Sequence, residues 1–439
     1  MKILNRSKYI FYFLILLIFN TKSVFAEEYN ILFKDDIEKE KINSTLNKVE
    51  VVDSIDDIGY FIVDTDNIEA IENDNNIEHI ECQKAHDVIY PPSKESYASK
   101  VSNNNLWPQQ WDIKRITNDG ASFKLHNPSE MTTIAIIDSG LDIDNIEIRD
   151  SVVDGSKNFV PEGGYENSEE YETGMIHQID DKTGHGTAVA SQITANYNMR
   201  GVAPGIKIRS YRVFGQSSAK ASWIIKAIIE ATRDGNDVIN ISTGQYLMKN
   251  GKYSNGSDDM IELKAYKRAV DYAFSKGSIV VSSVGNDSLN TSDNNEMIKY
   301  LNDRLDENVF IEKEGKVLDV PNNFNNVVSV GGSDYTGSIS NFTNYGCNSF
   351  DILAPAGTTQ NLLDNGILHF FAKKLYIYDF VLTASLNNTY VYDVGNSFAA
   401  PKVSGTLGLI IDKYGYHNQP RRAINHLFNA SNKKIMMFT

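Results

Sequence analysis

Cysteine and positive charge are both scarce in this sequence. Only two of its 439 residues are cysteines, Cys82 and Cys347. This number excludes a small scaffold held together by several disulfides, and it excludes a cysteine-rich metal site. Lysine and arginine number 42 against 57 aspartates and glutamates, which gives a formal net charge of -15. Because phosphate binding requires a positive surface, nucleic acid is not expected as a partner.

The apolar run near the N-terminus is too short to favour a membrane-spanning helix. Residues 9–19 are all apolar, whereas a bilayer requires ~20 such residues. A basic segment, residues 2–8, precedes the run, and compact side chains at positions 24 and 26 follow it. This order is typical of a secretory signal peptide cleaved after Ala26, with an uncleaved anchor as the alternative. We therefore predict residues 1–26 to be a signal peptide and the protein to be extracellular.

The next segment of the chain is predicted to form a small α+β domain. Apolar periodicity indicates strands at 29–33, 58–63 and 77–81, and helices at 35–49 and 67–71. Alternating strands and helices in this order are typical of a ferredoxin-like fold. Residues 91–100 are polar and turn-rich and are predicted to be a linker.

From about residue 105 onward, strand-like apolar segments alternate with amphipathic helix-like segments. Strands are predicted at 133–137, 206–213, 238–242, 279–283 and 327–330, and helices at 221–233 and 262–276. This alternation predicts a three-layer α/β fold, in which a central, mostly parallel sheet is covered by helices on both faces. Functional sites in such sheets lie at the carboxyl ends of the strands. The Asn- and Asp-rich segments 245–260 and 286–308 are predicted to be surface loops.

Three short strings carry the functional groups of a nucleophilic catalyst. Asp138 ends a predicted strand, His185 lies between two glycines, and Ser397 precedes an apolar helix. A serine hydroxyl becomes a good nucleophile when an imidazole accepts its proton and a buried carboxylate orients that imidazole. Each string alone is more often a turn or a loop histidine. Together, in the order Asp, His, Ser within an exported β/α chain, they favour a catalytic triad.

The same strings resemble the catalytic motifs of the subtilases, serine proteases of the subtilisin type, over residues 105–415. The matching segments are DSGLD at 138–142, HGTAVA at 185–190 and GNSFAAPKVSG at 395–405. The resemblance implies a subtilisin-like peptidase domain over 106–439. It also implies that residues 27–105 are an inhibitory propeptide and linker, removed by self-cleavage, although two ordinary domains joined by a hinge would give the same pattern.

The resemblance also assigns residues outside the triad. Asn286 matches the asparagine whose amide donates to the developing oxyanion, alongside the backbone N–H of Ser397. Three residues resemble the segment that pairs with the extended substrate and forms one wall of the pocket for the side chain before the cut bond: Ser242, Thr243 and Gly244. Asp287 falls at the rim of that pocket, where a carboxylate favours Lys or Arg; a solvated loop acid is the alternative.

Two substitutions depart from the family pattern near the catalytic motifs. Asn396 precedes the nucleophile, where threonine is common. The threonine hydroxyl helps the oxyanion hole, and an asparagine amide is also able to donate there. Ala188 stands where a second histidine is common, which we interpret as a minor packing change.

Calcium is an open question. The stretch 185–204 is short in the region where many secreted relatives bind calcium tightly, so that particular site is in doubt. Asp142, Asp144 and Glu147 offer oxygens near one position, although carboxylates alone are usually a solvated acidic face. The resemblance implies that catalysis requires no cofactor.

Within the family, the chain is most similar to the lantibiotic leader peptidases of Gram-positive bacteria. The similarity rests on the signal and propeptide layout, the segment WPQQWD at 107–112 and the segment APKVSG at 400–405. It implies removal of the leader from a modified, lanthionine-containing precursor, commonly after a basic residue. Residues 432–439 contain no wall-sorting signal, so a freely secreted monomer without a stable membrane anchor is expected.

We therefore predict a secreted serine endopeptidase that its own propeptide inhibits and that removes a lantibiotic leader. A broad-specificity degradative subtilase shares every catalytic feature and remains the alternative. An inactive binding or scaffold protein is a third possibility, but such a protein is expected to have a broken triad, and all three triad residues are present.

Overall fold

The computed structural model describes residues 27–82, 89 and 105–431. The predictions of a signal peptide, a linker at 91–100 and a tail without a sorting signal lie outside these residues. The chain divides into two compact units, Met1–Gln83 and Lys84–Thr439. Within the described part of the chain, every helix is too short or too polar to cross a membrane.

The first unit is a four-stranded antiparallel sheet with two helices. Its elements are β1 (Glu27–Phe33), α1 (Lys39–Leu46), β2 (Glu50–Ile55), β3 (Tyr60–Thr65), α2 (Glu69–Glu72) and β4 (Ile77–Cys82). The strand order β2-β3-β1-β4 is antiparallel throughout and confirms the predicted ferredoxin-like fold. Strand β2 was not predicted, because it is an edge strand whose first three residues are exposed and carry no buried alternation.

The second unit contains the remaining strands and helices. Its strands are β5 (Thr133–Asp138), β6 (Lys157–Asn158), β7 (Lys207–Arg212), β8 (Val238–Ile241), β9 (Gln245–Lys249), β10 (Lys252–Tyr253), β11 (Ile279–Ser283), β12 (Ile311–Lys313), β13 (Lys316–Val320), β14 (Val327–Ser333), β15 (Ile352–Pro355), β16 (Val381–Ser385) and β17 (Thr389–Asp393). Its helices are α3 (Trp111–Thr117), α4 (His185–Thr194), α5 (Ala221–Arg233), α6 (Met260–Ser275), α7 (Asn294–Asn302), α8 (Gln360–Asn365), α9 (Ile367–Ala372), α10 (Tyr376–Asp379), α11 (Ala400–Tyr414) and α12 (Pro420–Ala430).

A seven-stranded parallel sheet organises this unit. Its strand order is β15-β14-β11-β8-β5-β7-β6, and every neighbouring pair is parallel. Helices α4, α11 and α12 pack together on the sheet, and α5 and α6 form a second packed layer. The predicted three-layer α/β fold is therefore confirmed. The central strands β5, β8 and β11 are buried along their whole length, which explains why their apolar runs were recognisable in the sequence.

The prediction of surface loops at 245–260 and 286–308 is wrong in part. Strand β9 pairs antiparallel with β13, and α7 forms within the second segment. The carboxylate of Asp293 caps α7 by accepting the N–H groups of Asn295 and Glu296, and Met297 enters a small core with Leu289. A few apolar side chains therefore anchor segments whose overall composition is polar.

A fully buried ion pair joins helix α11 to helix α3. The Lys402 ammonium lies 2.9 Å from a carboxylate oxygen of Asp112, and neither side chain is exposed to solvent. Lys402 also donates to the backbone carbonyl of Phe398 at 2.9 Å. Burial lowers the pKa of Lys402, and the neighbouring Asp112 opposes that effect. Removal of either partner alone would leave an uncompensated buried charge.

Candidate active site

Asp138 is held at the carboxyl end of β5 in a buried environment. All six residues of β5 are buried, and Asp138 is 1% exposed. The N–H of Ser139 donates to Asp138 Oδ1 at 2.7 Å, so the turn after the strand fixes the carboxylate. This placement agrees with the rule that sites in parallel sheets lie beyond the strand ends.

His185 is the first residue of α4 and faces Asp138. Its Nδ1 lies 2.8 Å from Asp138 Oδ1. Helix α4 comes very close to the turn after β5: a Cβ on Gly186 would lie 2.1 Å from the carbonyl oxygen of Gly140. Only glycine permits this approach, and that requirement is the physical reason for the glycine that follows the histidine.

A buried carboxylate that the sequence analysis missed organises both segments. Asp181 accepts hydrogen bonds from the Ser139 hydroxyl at 2.9 Å and from the N–H groups of Thr183, Gly184 and Thr187. It therefore binds the start of α4 and the turn that carries Asp138. Asp181 lies three residues before Gly184, the N-cap of α4, so the usual N-cap signal does not identify it in the sequence.

Ser397 lies in the 3-10 turn Asn396–Phe398, just before α11. Its hydroxyl donates to the carbonyl oxygen of Ser242 at 3.1 Å, and the Ser242 hydroxyl donates to the Ser397 carbonyl at 3.0 Å. The ring of Phe398 lies 5.8 Å from the His185 ring, measured between centroids. The fold therefore brings the third string next to the first two.

Asn396 orients Asn286 rather than donating directly to a substrate oxygen. Its amide nitrogen donates to the carbonyl oxygens of Val284 and Gly285, at 3.2 and 2.9 Å, and its Oδ1 accepts the Thr343 hydroxyl. Its backbone N–H donates to Asn286 Oδ1 at 2.9 Å. The carboxamide of Asn286 is thus held by its oxygen, and its NH2 group is available as a hydrogen-bond donor, as the predicted oxyanion role requires.

A family model described as "Subtilase family" matches residues 129–436, which is more than half of the chain. The chain belongs to the subtilase family. The match includes every residue of the predicted triad, and it confirms the family that the three motifs predicted.

This subtilase is similar to two leader-processing proteases. It is 46% identical over 336 residues to the nisin leader peptide-processing serine protease NisP of Lactococcus lactis subsp. lactis, over 76% of this chain and 48% of that protein. It is 40% identical over 328 residues to the epidermin leader peptide-processing serine protease EpiP of Staphylococcus epidermidis, over 74% of this chain and 69% of that protein. The chain therefore spans about half the length of NisP.

Solved structures show the same similarity. The crystal structure of the nisin leader peptidase NisP from Lactococcus lactis matches with a TM-score of 0.72 and 46% identity, over 76% of this chain and 91% of that one. The structure of EpiP from Staphylococcus aureus matches with a TM-score of 0.80 and 34% identity, over 91% of each chain.

A pocket of about 210 Å³ opens beside Ser397 of this subtilase. It is lined by Ser242, Thr243, Gly244, Gln245, Tyr246, Ser283, Val284, Gly285, Asn286, Asp287, Asp319 and Ser397. The four residues predicted to bind substrate all lie in this lining. Asp319 was not predicted, because β13 is separated in sequence from every catalytic motif and its acidic side chain matched none of them.

The carboxylate of Asp287 is already engaged within the protein. One oxygen accepts the Tyr246 hydroxyl at 2.5 Å and the other accepts the Tyr300 hydroxyl. The Arg304 guanidinium lies 3.5 Å from the second oxygen and 4.0 Å from the Tyr300 ring. Three neighbours therefore compete for the Asp287 carboxylate with the basic substrate side chain that it was predicted to select.

Glu147, one of the three carboxylates considered as calcium ligands, already accepts hydrogen bonds on both of its oxygens. Its carboxylate accepts the backbone N–H groups of Tyr197, Asn198 and Met199 and the hydroxyl of Tyr390. These donors occupy both oxygens, so Glu147 does not fit the role of a cation ligand.

The other two carboxylates that were considered are not gathered around a common position. Asp142 accepts the N–H of Asn387 at 2.9 Å, and Asp144 is exposed. Across the described ranges, no cluster of three or more His, Cys, Asp or Glu side chains is arranged to hold a metal ion.

We predict that acidification reduces the activity of the enzyme at a pH above 6.5, the ordinary pKa of histidine. Burial lowers the pKa of His185, but the Asp138 charge and hydrogen bond outweigh it, so the net pKa lies above 6.5. The base must be neutral to accept a proton, so activity is present above the raised pKa and lost as the pH falls through it. The pH dependence of kcat/KM on an uncharged peptide measures this loss of activity. A midpoint below pH 6.5 would contradict the prediction.

We predict that Asn396→Ala lowers kcat about 10-fold with little change in KM, because it loosens the loop that positions Asn286. Loss of one oxyanion donor in serine proteases costs about 10²–10³-fold in turnover. Because Asn396 acts through Asn286, the double variant Asn286→Ala/Asn396→Ala should be no slower than Asn286→Ala alone. If the loss of kcat in the double variant equals the product of the losses in the two single variants, the two residues act independently.

We predict that Glu147→Ala lowers the free energy of unfolding by about 1–3 kcal/mol, because it leaves buried backbone N–H groups without an acceptor. Thermal unfolding with calcium and with EDTA should show the same decrease in both solutions. A decrease seen only with calcium present would mean that Glu147 acts as a calcium ligand.

Proposed function

We propose that this subtilase is a secreted serine endopeptidase that removes the leader peptide from a lantibiotic precursor. The observation that carries the proposal is the buried pair of Asp138 and His185, with Nδ1 and Oδ1 2.8 Å apart, beside the turn that bears Ser397. The similarity to NisP and EpiP supports the substrate class, since both are leader peptide-processing proteases by name.

In the proposed reaction, the Ser397 hydroxyl exchanges its hydrogen bond to the Ser242 carbonyl for one to His185. The oxygen attacks the scissile carbonyl carbon while His185 accepts the proton, and Asp138 orients the ring and stabilises its cation. The Asn286 amide and the Ser397 N–H donate to the oxyanion. His185 then returns the proton to the leaving amine, and water repeats the sequence on the acyl-enzyme.

We propose that the substrate lies as an extended strand that pairs with Ser242–Gly244, in the pocket lining beside Ser397, and with the chain edge at Ala219. There, Ala219 exchanges two backbone hydrogen bonds with Ile89, at 3.0 and 2.9 Å, in an antiparallel bridge. The Ile89 side chain is 1% exposed. This edge therefore has the donors and acceptors needed to bind another chain by β-augmentation.

The same pairing supports a self-inhibited precursor. We propose residues 1–26 as the signal peptide, 27–105 as the inhibitory propeptide and linker, and 106–439 as the peptidase domain. Ile89, which precedes the proposed domain, then occupies the edge that the substrate needs, until self-cleavage within residues 90–105 releases it. We further propose that the mature enzyme is a secreted monomer and that its substrate is a lanthionine-containing peptide.

We predict that purified Ser397→Ala stays as a full-length precursor, whereas the wild-type protein loses its N-terminal domain. Alanine removes the hydroxyl and keeps the Cβ, so the turn Asn396–Phe398 is expected to stay intact. Intact-mass spectrometry measures the processing, and a trace of active wild-type enzyme added to the variant tests cleavage between molecules. Full removal of the N-terminal domain by the variant alone would contradict self-cleavage.

The substrate class is tested with the same pair of proteins. Modified precursor peptides and unfolded casein are incubated with wild type or Ser397→Ala and analysed by mass spectrometry. A single cut at the leader junction, with casein left intact, supports leader processing. Digestion of casein at many sites would instead favour a broad-specificity degradative protease.

A further inference from the structure

A second carboxylate, Asp319, lines the pocket that opens beside Ser397. It belongs to β13 and is 4% exposed. Asp287 lies 3.5 Å from the Arg304 guanidinium, whereas Asp319 has only neutral hydrogen-bond partners. The N–H of Gly285 donates to one carboxylate oxygen at 3.1 Å, and the Asn322 amide donates to the other at 2.9 Å. Asn344 provides a further side-chain hydrogen bond.

This arrangement leaves a buried negative charge without a cation. Among the residues that the structure describes, no Lys, Arg or His forms a salt bridge with Asp319. Burial is the largest influence on this carboxyl and raises its pKa to about 6, despite the three donors. A buried carboxylate that lacks a counter-charge is costly, and a cation entering the pocket would recover part of that cost.

The pocket wall leaves room above this carboxylate. A Cβ built on Gly244 would lie 3.6 Å from Asp319 Oδ1 and 2.7 Å from the carbonyl oxygen of Val320. The bare backbone of Gly244 therefore forms the wall beside the carboxylate, and any side chain there would narrow the space. A long, unbranched side chain extending from a peptide at Ser397 would reach the charged group along this wall.

We propose that Asp319 forms the base of the specificity pocket and selects substrates with arginine or lysine on the acyl side of the cut bond. This assignment rests on the proposed peptidase function and deepens it by naming the residue that recognises the substrate. The guanidinium or ammonium group pairs with the Asp319 carboxylate, while Asp287 stays bound to Tyr246 and Tyr300. Asp287 then shapes the pocket rim rather than binding the substrate cation.

The test compares peptides that differ only at the residue before the cut bond. Arginine is compared with citrulline, which has nearly the same shape and hydrogen-bonding capacity but no charge. In the mature wild-type enzyme, kcat/KM for arginine should exceed that for citrulline by on the order of 10²-fold, because a buried charged pair forms only with arginine. Asp319→Asn should reduce this ratio to within a few-fold of one.

Asp287→Asn is the matched control, because it removes a second carboxylate from the same pocket. It should leave the ratio of arginine to citrulline within a few-fold of wild type. A ratio that collapses in Asp287→Asn and persists in Asp319→Asn would overturn the assignment. Equal cleavage of the two peptides by the wild-type enzyme would overturn it as well, without any variant.

The pH dependence of the same ratio provides a measurement that does not require a folded variant. Asp319 is charged above its raised pKa and neutral below it, so the preference for arginine should weaken as the pH falls through about 6. The requirement for neutral His185 affects both peptides equally and cancels in the ratio. The other titratable or charged groups near this carboxyl are Asp287, Tyr246, which donates to Asp287, and Arg304, which is paired with Asp287. A ratio that is constant from pH 5 to 8 would contradict the proposal.

Failure of the peptidase function itself would give a different result. Labelling of Ser397 by a fluorophosphonate probe reports an assembled triad regardless of the substrate side chain. Wild-type protein that is neither labelled nor active on any peptide would reject the proposed function. Labelled protein that cleaves citrulline and arginine peptides equally would reject only the role of Asp319.

Discussion

The buried carboxylate of Asp181 is the interaction on which the geometry of the site depends. It accepts hydrogen bonds from Ser139, next to Asp138, and from N–H groups at the start of helix α4. Asp138 and His185 lie on separate elements, 47 residues apart in sequence. Chain connectivity alone therefore does not fix the distance between them. By accepting the Ser139 hydroxyl and the N–H groups of α4, Asp181 joins two chain segments into one rigid support, so that little reorganisation is needed when charge develops.

The sequence carried the information for the central sheet and the triad because both depend on local patterns. Strand β11 was predicted with its observed bounds, and so was helix α5. Buried parallel strands appear as apolar runs, and catalytic groups need small neighbours that leave a recognisable string. The same reasoning failed where a few buried side chains anchor a polar segment, as Met297 does in α7.

Asp319 was missed, and the bonding of Glu147 and Asn396 was not predicted, because their partners are distant in sequence and no local pattern reveals them. Glu147 finds its donors about fifty residues later, at the loop beginning with Tyr197. Asp319 lines the same pocket as Ser397, and the pairing of β13 with β9 is what brings its strand to this position. Asn396 is similar, since its neighbour Ser397 is evident in the sequence while its own bonds to Val284 and Gly285 are not. Tertiary pairing supplies this part of the site.

The buried pair of Lys402 and Asp112 limits how far the enzyme can be trimmed from its N-terminus. Asp112 lies only a few residues after the start of the proposed peptidase domain, yet its charge neutralises a lysine inside the helix that follows the nucleophile. A chain cut beyond that point would keep its triad residues and lose the counter-charge beneath them. For the proposed peptidase domain 106–439, maturation and stability are therefore linked, because Asp112, near its start, supplies the counter-charge for the helix that follows Ser397.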